Sequence, residues 1–134
     1  MTVRLALEGA TVADTARNAT EEHIAELKTL LERMENNLGN TAKYEALDME
    51  FHIKIAEASS NVLLFEMVSL IRGQLSQGVH QALLLPKAVP LSQKEHRAIL
   101  NAIAKRQPEE AKRAMEGHLL AALTRYRKEK AQLS

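Results

Sequence analysis

The chain has no cysteine, which excludes disulfides and thiolate metal sites and leaves histidine and carboxylate as the good ligands or catalysts. An excess of charge of one sign is missing too, because 18 lysines and arginines nearly cancel 17 aspartates and glutamates. No strong positive field is present to draw nucleic acid or an anionic membrane. Long apolar runs are also lacking. V-L-L-F and A-L-L-L fall far short of the roughly 18 residues of a membrane span, and no signal-peptide core follows Met1. A soluble, cytoplasmic protein is expected, and 134 residues suit one domain around one core.

What is present is helical periodicity nearly everywhere. Val3, Leu5, Leu7, Val12 and Ala16 predict a first helix that fades around Arg17, Asn18 and Ala19. Thr20 offers an N-cap to the second, with His23 rather than glutamate at the third helical position and Glu21 and Glu22 suited to the first turn. Ile24, Leu27, Leu30, Leu31, Met34 and Leu38 form its stripe, and L-G-N at 38–40 supplies a glycine stop. Asn40 or Thr41 caps the third helix, which Ser59-Ser60-Asn61 breaks, and Asn61 caps or braces the fourth. Leu64, Met67, Val68, Ile71, Leu75, Val79 and Ala82 trace one long fourth helix ending before Pro86. P-K-A-V-P-L-S then reads as a loop. Ser92 with Glu95 three residues on reads as a capping box opening the fifth helix, which carries Ile99, Leu100 and Ile103. Pro108 opens the last, through Ala111, Ala114, Met115, Leu119 and Leu123. The expected fold is all-α, an antiparallel bundle of about six helices.

Two polar residues interrupt the third stripe. Around Phe51, the residues Tyr44, Leu47, Ile55 and Ala58 fall within about 40°, Asp48 lies about 60° round and His52 about 100°, from a 3.6-residue turn. Four residues apart, Asp48 and His52 stack on one face, so that carboxylate and imidazole can converge on one point. His96 shares a line with Ile99, Leu100 and Ile103, and His118 with Ala111, Ala114, Met115 and Ala122. Each inward histidine taken singly is compatible with a hydrogen-bonded core residue, and Asp48 with His52 is compatible with a local hydrogen bond. One aspartate and three histidines from three helices share a further remedy, a divalent metal. His80 projects away from its helix's stripe and His23 stands at a helix start, so neither joins this set.

The order R-L-A-L-E, D-M-E-F-H-I-K-I-A-E-A-S-S-N, E-H-R-A-I-L-N-A-I and A-K-R-A-M-E-G-H-L resembles the effector-binding C-terminal domain of GntR-type transcriptional regulators, the FCD domain of the subfamily named after the fatty-acid regulator. The likeness runs from Arg4 to His118. It implies an antiparallel helical bundle that dimerises, and a metal held by one aspartate and three histidines, here Asp48, His52, His96 and His118. Two departures stand out. Gln107 replaces the aspartate usual before Pro108, and only three residues precede Arg4, where such a regulator carries a DNA-binding winged helix-turn-helix. DNA binding is therefore expected only through a domain not present in residues 1–134.

The resemblance implies an effector-sensing role rather than an enzyme. Four protein ligands would close a tetrahedral zinc, whereas an octahedral nickel, manganese or iron would keep places open for a small carboxylic acid. Arg72 matches a position where the family commonly has arginine and could pair with that acid, an exposed arginine with a buried stem being the alternative. Arg4 and Glu8, one turn apart, are expected to form a surface pair. Two other functions use the same residues: a metal-dependent hydrolase, and a metal-free helical scaffold. Neither H-E-x-x-H nor the E-x-x-H pair of di-iron bundles occurs, and Glu50 and Glu95 leave their helices about 100° to 200° from the ligands.

Overall fold

The computed structural model describes residues 1–133. Among them the chain forms seven helices and no strand: α1 (Thr2–Asn18), α2 (Glu21–Glu35), α3 (Thr41–Ala58), α4 (Val62–Gln74), α5 (Ser76–Leu83), α6 (Ala88–Ala104) and α7 (Pro108–Leu133). The fold is the all-α antiparallel bundle expected, with one helix more than the apolar pattern suggests.

The extra helix comes from a break at Leu75, whose backbone lies at φ −99° and ψ 5°. Gly73, Ser76 and Gly78 surround it, and these are poor helix formers. No backbone group is stranded, because Leu75 N–H bonds Ile71 C=O and Val79 N–H bonds Leu75 C=O. The apolar stripe therefore continues through the break while the axis turns.

Three end signals behave differently from expectation. Helix α2 stops at Glu35, before Gly39, and Asn37 Nδ2 covers the Arg33 carbonyl at 2.7 Å, so a side chain rather than a glycine ends it. Helix α6 begins at Ala88, inside the supposed loop, because Pro90 falls in its first turn, where a missing N–H costs nothing. Ser92 is consequently buried within α6 and caps nothing, and Glu95 is free for another task. Thr20 does cap α2, and His23 completes a capping box with its ring Nδ1, 3.1 Å from Thr20 N. Asn40 and Asn61 cap α3 and α4 through their side chains.

Helix α3 runs through the core, where Tyr44, Leu47, Phe51 and Ile55 meet Ile99 and Ile103 of α6 and Met115 and Leu119 of α7. Each such fully buried side chain contributes about 1.5–3 kcal/mol. Thr15 Oγ1 donates to Ile55 C=O at 2.6 Å and ties α1 to α3. Helix α4 is held by a smaller cluster of Leu7, Ala56 and Val68, and its outer face leaves Val62, Leu63, Met67 and Leu70 exposed. No helix among the described residues is long and apolar enough to cross a membrane.

Candidate metal centre

Asp48 and His52 on α3, His96 on α6 and His118 on α7 are all buried, and each offers one ligand atom within 4.8 Å of every other. They could hold a metal ion. Asp48 Oδ1 lies 3.0 Å from His96 Nε2 and 3.4 Å from His52 Nε2, and the two Nε2 atoms are 3.3 Å apart. Two nitrogens bound at about 2.1 Å to one ion, with about 100° between them, would be about 3.2 Å apart. These three donors are spaced as ligands are, and the His118 donor lies within 4.8 Å of each.

Outer partners turn the rings so that the Nε2 edges face one another. Gln93 Nε2 donates to Leu31 C=O at 3.1 Å, which leaves Gln93 Oε1 to accept from the Tyr44 hydroxyl at 2.9 Å. Burial pushes the Tyr44 hydroxyl far above its ordinary range, with Asp48 adding to the shift, so its single proton stays in place. Having spent that proton on Gln93, the Tyr44 oxygen is left to accept from His96 Nδ1 at 3.0 Å, the tautomer in which His96 Nε2 can ligate. On α7, His118 Nδ1 meets Glu95 Oε1 at 2.6 Å, while Arg125 holds Glu95 Oε2 at 2.8 Å. His52 Nδ1 lies 3.5 Å from Glu8 Oε1 and is the one buried side-chain polar atom among the described residues without an aligned hydrogen bond. Phe51 packs its ring against both His52 and His96, at centroid distances of 5.7 and 5.1 Å.

The charges follow the same plan. Burial opposes ionisation of Asp48, but the adjoining His52 and His96 outweigh it and hold the carboxyl well below the usual range. Burial likewise opposes Glu8, and Arg72, followed by His52 and Arg4, holds it well below that range. Glu95 is held to about 2 against its own burial by His118 and Arg125. Burial lowers His96 and lowers His118 to about 3, against the pull of Asp48 and Glu95 respectively, so both imidazoles are neutral, the form that ligates. A buried carboxylate beside the Nε2 atoms of His52 and His96 fits a divalent cation.

Arg72 is almost wholly buried: its Nη2 lies 2.8 Å from Glu8 Oε1 and its Nη1 3.8 Å from Asp48 Oδ2. The exposed-arginine alternative does not hold. Nor are Arg4 and Glu8 a surface pair: Glu8 is buried at 3% exposure between Arg4 Nε at 2.7 Å and the Arg72 guanidinium. Helix α1 lies across the site, and no periodicity within α1 announces that. His80 is exposed and pairs with Glu45 at 2.9 Å, outside the cluster. Glu95, which leaves α6 about 100° from His96, reaches the cluster instead through His118 on the neighbouring α7, at 2.6 Å. Tyr44 and Gln93 carry no sequence signal of a role beside His96.

A cavity of about 250 Å³ opens beside the cluster, with Arg4, Asp48, Arg72 and His118 at one end and α5 and α7 forming its walls.

The family profile of the FCD domain matches residues 1–121. The chain belongs to the FCD domain family. Among curated proteins, this FCD domain is 34% identical over 125 residues to the HTH-type transcriptional repressor NanR of Klebsiella aerogenes, covering 87% of this chain and 46% of the repressor. It is 33% identical over 125 residues to NanR of Escherichia coli K12, covering 87% and 45%. The chain thus spans about half the length of the curated relatives it matches. Among solved structures, a Streptococcus agalactiae GntR superposes with a TM-score of 0.75 at 26% identity, covering 93% of this chain and 55% of the other. E. coli McbR/YncC, at 20% identity and a TM-score of 0.84 over 95% of this chain and 66% of the other, shares the fold. The two curated relatives are transcriptional repressors by name.

Proposed function

We propose that this FCD domain is the metal-containing, effector-sensing and dimerising part of a bacterial, cytoplasmic GntR-type transcription regulator, and that its effector is a small carboxylic acid. The observation that carries the reading is the convergence of one ligand atom each from Asp48, His52, His96 and His118 beside a cavity that Arg4 and Arg72 also line. Asp48, His52, His96 and His118 would hold a divalent ion, zinc, nickel, manganese or iron. When bound, such an ion supplies Lewis-acid positions whose water an acid's oxygens can replace.

The chain's own residues do the rest. Tyr44 and Glu95 orient His96 and His118 from outside, the outer-sphere arrangement that tunes a metal site, while Glu8 stands 3.5 Å from His52 Nδ1. Arg4 and Arg72 line the cavity and suit a carboxylate. DNA contact belongs to a winged helix in the full-length regulator. A hydrolase built on the same ligands needs an uncommitted base, and the nearest carboxylates, Glu8 and Glu95, are each engaged by a guanidinium and an imidazole. A metal-free scaffold would leave facing imidazole edges without a cation between them.

Regulators of the GntR family usually act as dimers. The apolar outer face of α4 suits a second copy of this chain, since Val62 and Leu70 are 73% and 64% exposed on a helix with little polar surface.

Elemental analysis after metal-replete expression should find about one divalent ion per chain, as one four-ligand cluster implies. Less than a tenth of an equivalent, with no uptake of added zinc or nickel, would sink the reading.

A further inference from the structure

The cavity differs sharply between its two ends. At the cluster end stand Asp48, His118, Arg4 and Arg72, while the walls beyond are Leu75, Val79 and Leu83 of the α4–α5 region and Leu119, Ala122 and Leu123 of α7. Beside His118, Arg125 holds both Glu95 oxygens, at 2.8 and 3.2 Å, and reaches Ser92 Oγ at 3.3 Å. The Tyr126 hydroxyl donates to Gln81 Oε1 at 3.2 Å. Arg4, Arg72, Asp48 and His118 are gathered at the cluster end, and Leu75, Val79, Ala82, Leu83, Leu119 and Leu123 make most of the remaining wall hydrocarbon.

We infer that the effector is a monocarboxylic acid with an apolar body, its carboxylate at the Arg4–Arg72 end and its hydrocarbon between α5 and α7; this rests on the carboxylate reading above. The cavity, about 250 Å³, has room for a small acid's apolar body. Hydroxyls along that body would leave water and meet Leu75, Val79 and Leu123 instead, each unmatched one costing roughly a factor of ten in affinity. A second carboxylate reaching beyond the cluster end would meet the same apolar walls. Each methylene moved from water onto them should strengthen binding about fourfold.

The test is calorimetry on the nickel-loaded chain at neutral pH with acetate, butanoate, hexanoate, gluconate and adipate. Hexanoate and gluconate share a six-carbon monocarboxylate skeleton and differ in hydroxyls, and adipate adds the second carboxylate. Affinity should climb from acetate to hexanoate by on the order of a hundredfold, with gluconate and adipate weaker than hexanoate. Val79→Thr, nearly isosteric, should weaken hexanoate several-fold and leave acetate unchanged. A flat series from acetate to hexanoate, or gluconate or adipate binding more tightly than hexanoate, overturns the inference while the carboxylate reading stands. Silence from every acid removes both.

Discussion

Replacing Tyr44 by phenylalanine deletes one oxygen from the centre of the relay Leu31–Gln93–Tyr44–His96 and keeps the ring that stacks on His96 at 6.2 Å. Two buried groups lose their partner, Gln93 Oε1 and His96 Nδ1–H. Together they should cost about 2–4 kcal/mol. A 134-residue chain unfolds with an entropy of about 0.28 kcal/mol/K, so Tm of the EDTA-stripped protein should fall by about 7–14 °C. Freed of its acceptor, His96 can carry its proton on Nε2, the edge that faces Asp48, and metal affinity should drop about 10- to 100-fold. Thermal unfolding by circular dichroism and zinc titration against a competing chelator measure the two effects separately. Tyr126→Phe is the control, since its hydroxyl bonds only a surface glutamine and should move neither quantity. A Tyr44→Phe protein that melts within about 2 °C of the parent refutes the relay. One that melts lower but holds zinc as tightly refutes its control of the His96 tautomer.

His52→Ala and His118→Ala should each lower metal content and Tm, whereas His80→Ala, which breaks an exposed pair with Glu45, should change neither; elemental analysis and melting curves decide. Stability of the metal-stripped chain should fall as pH drops below 6.5, because burial keeps His118 neutral down to about 3 while the unfolded chain takes up the proton; the slope is about 1.4 kcal/mol per pH unit for each such histidine. Glu95, depressed from 4.5 to about 2, should add a second loss as pH falls from 4.5 toward 2; chemical denaturation across pH shows both, and a flat profile from pH 7 to 4 refutes the neutral buried imidazole. Leu63→Glu with Leu70→Glu should convert a dimer to monomer in sedimentation velocity without lowering metal content, and an unchanged mass would clear α4 of that role. The domain alone should give no sequence-selective gel shift at physiological salt, because its late basic residues Arg125, Arg127, Lys128 and Lys130 lie near the C-terminal end of α7, where they complement the helix dipole.

Periodicity and end signals by themselves determined the helical class and most of the helix positions. An apolar residue every three or four places has one cheap burial, and Thr20, Asn40 and Asn61 satisfy N–H groups that a helix start leaves open. The inward direction of Asp48, His52, His96 and His118 was also legible, since direction around a helix depends only on spacing along it. Spacing says nothing about which helices meet, so the four ligand atoms' common point, Glu8 crossing from α1 and the Tyr44–Gln93 relay came only from packing. Local motifs misled where a tertiary partner outbid them. Ser92 and Glu95 spell a capping box, yet Pro90 starts α6 a turn earlier and releases Glu95 to His118 and Arg125. Leu75 interrupts a stripe that runs on unbroken, because a bend in the backbone leaves the order of apolar residues untouched. Arg4 and Glu8 one turn apart look like any exposed pair, and only the burial of Arg72 beside them turns the same two side chains into a wall of the site.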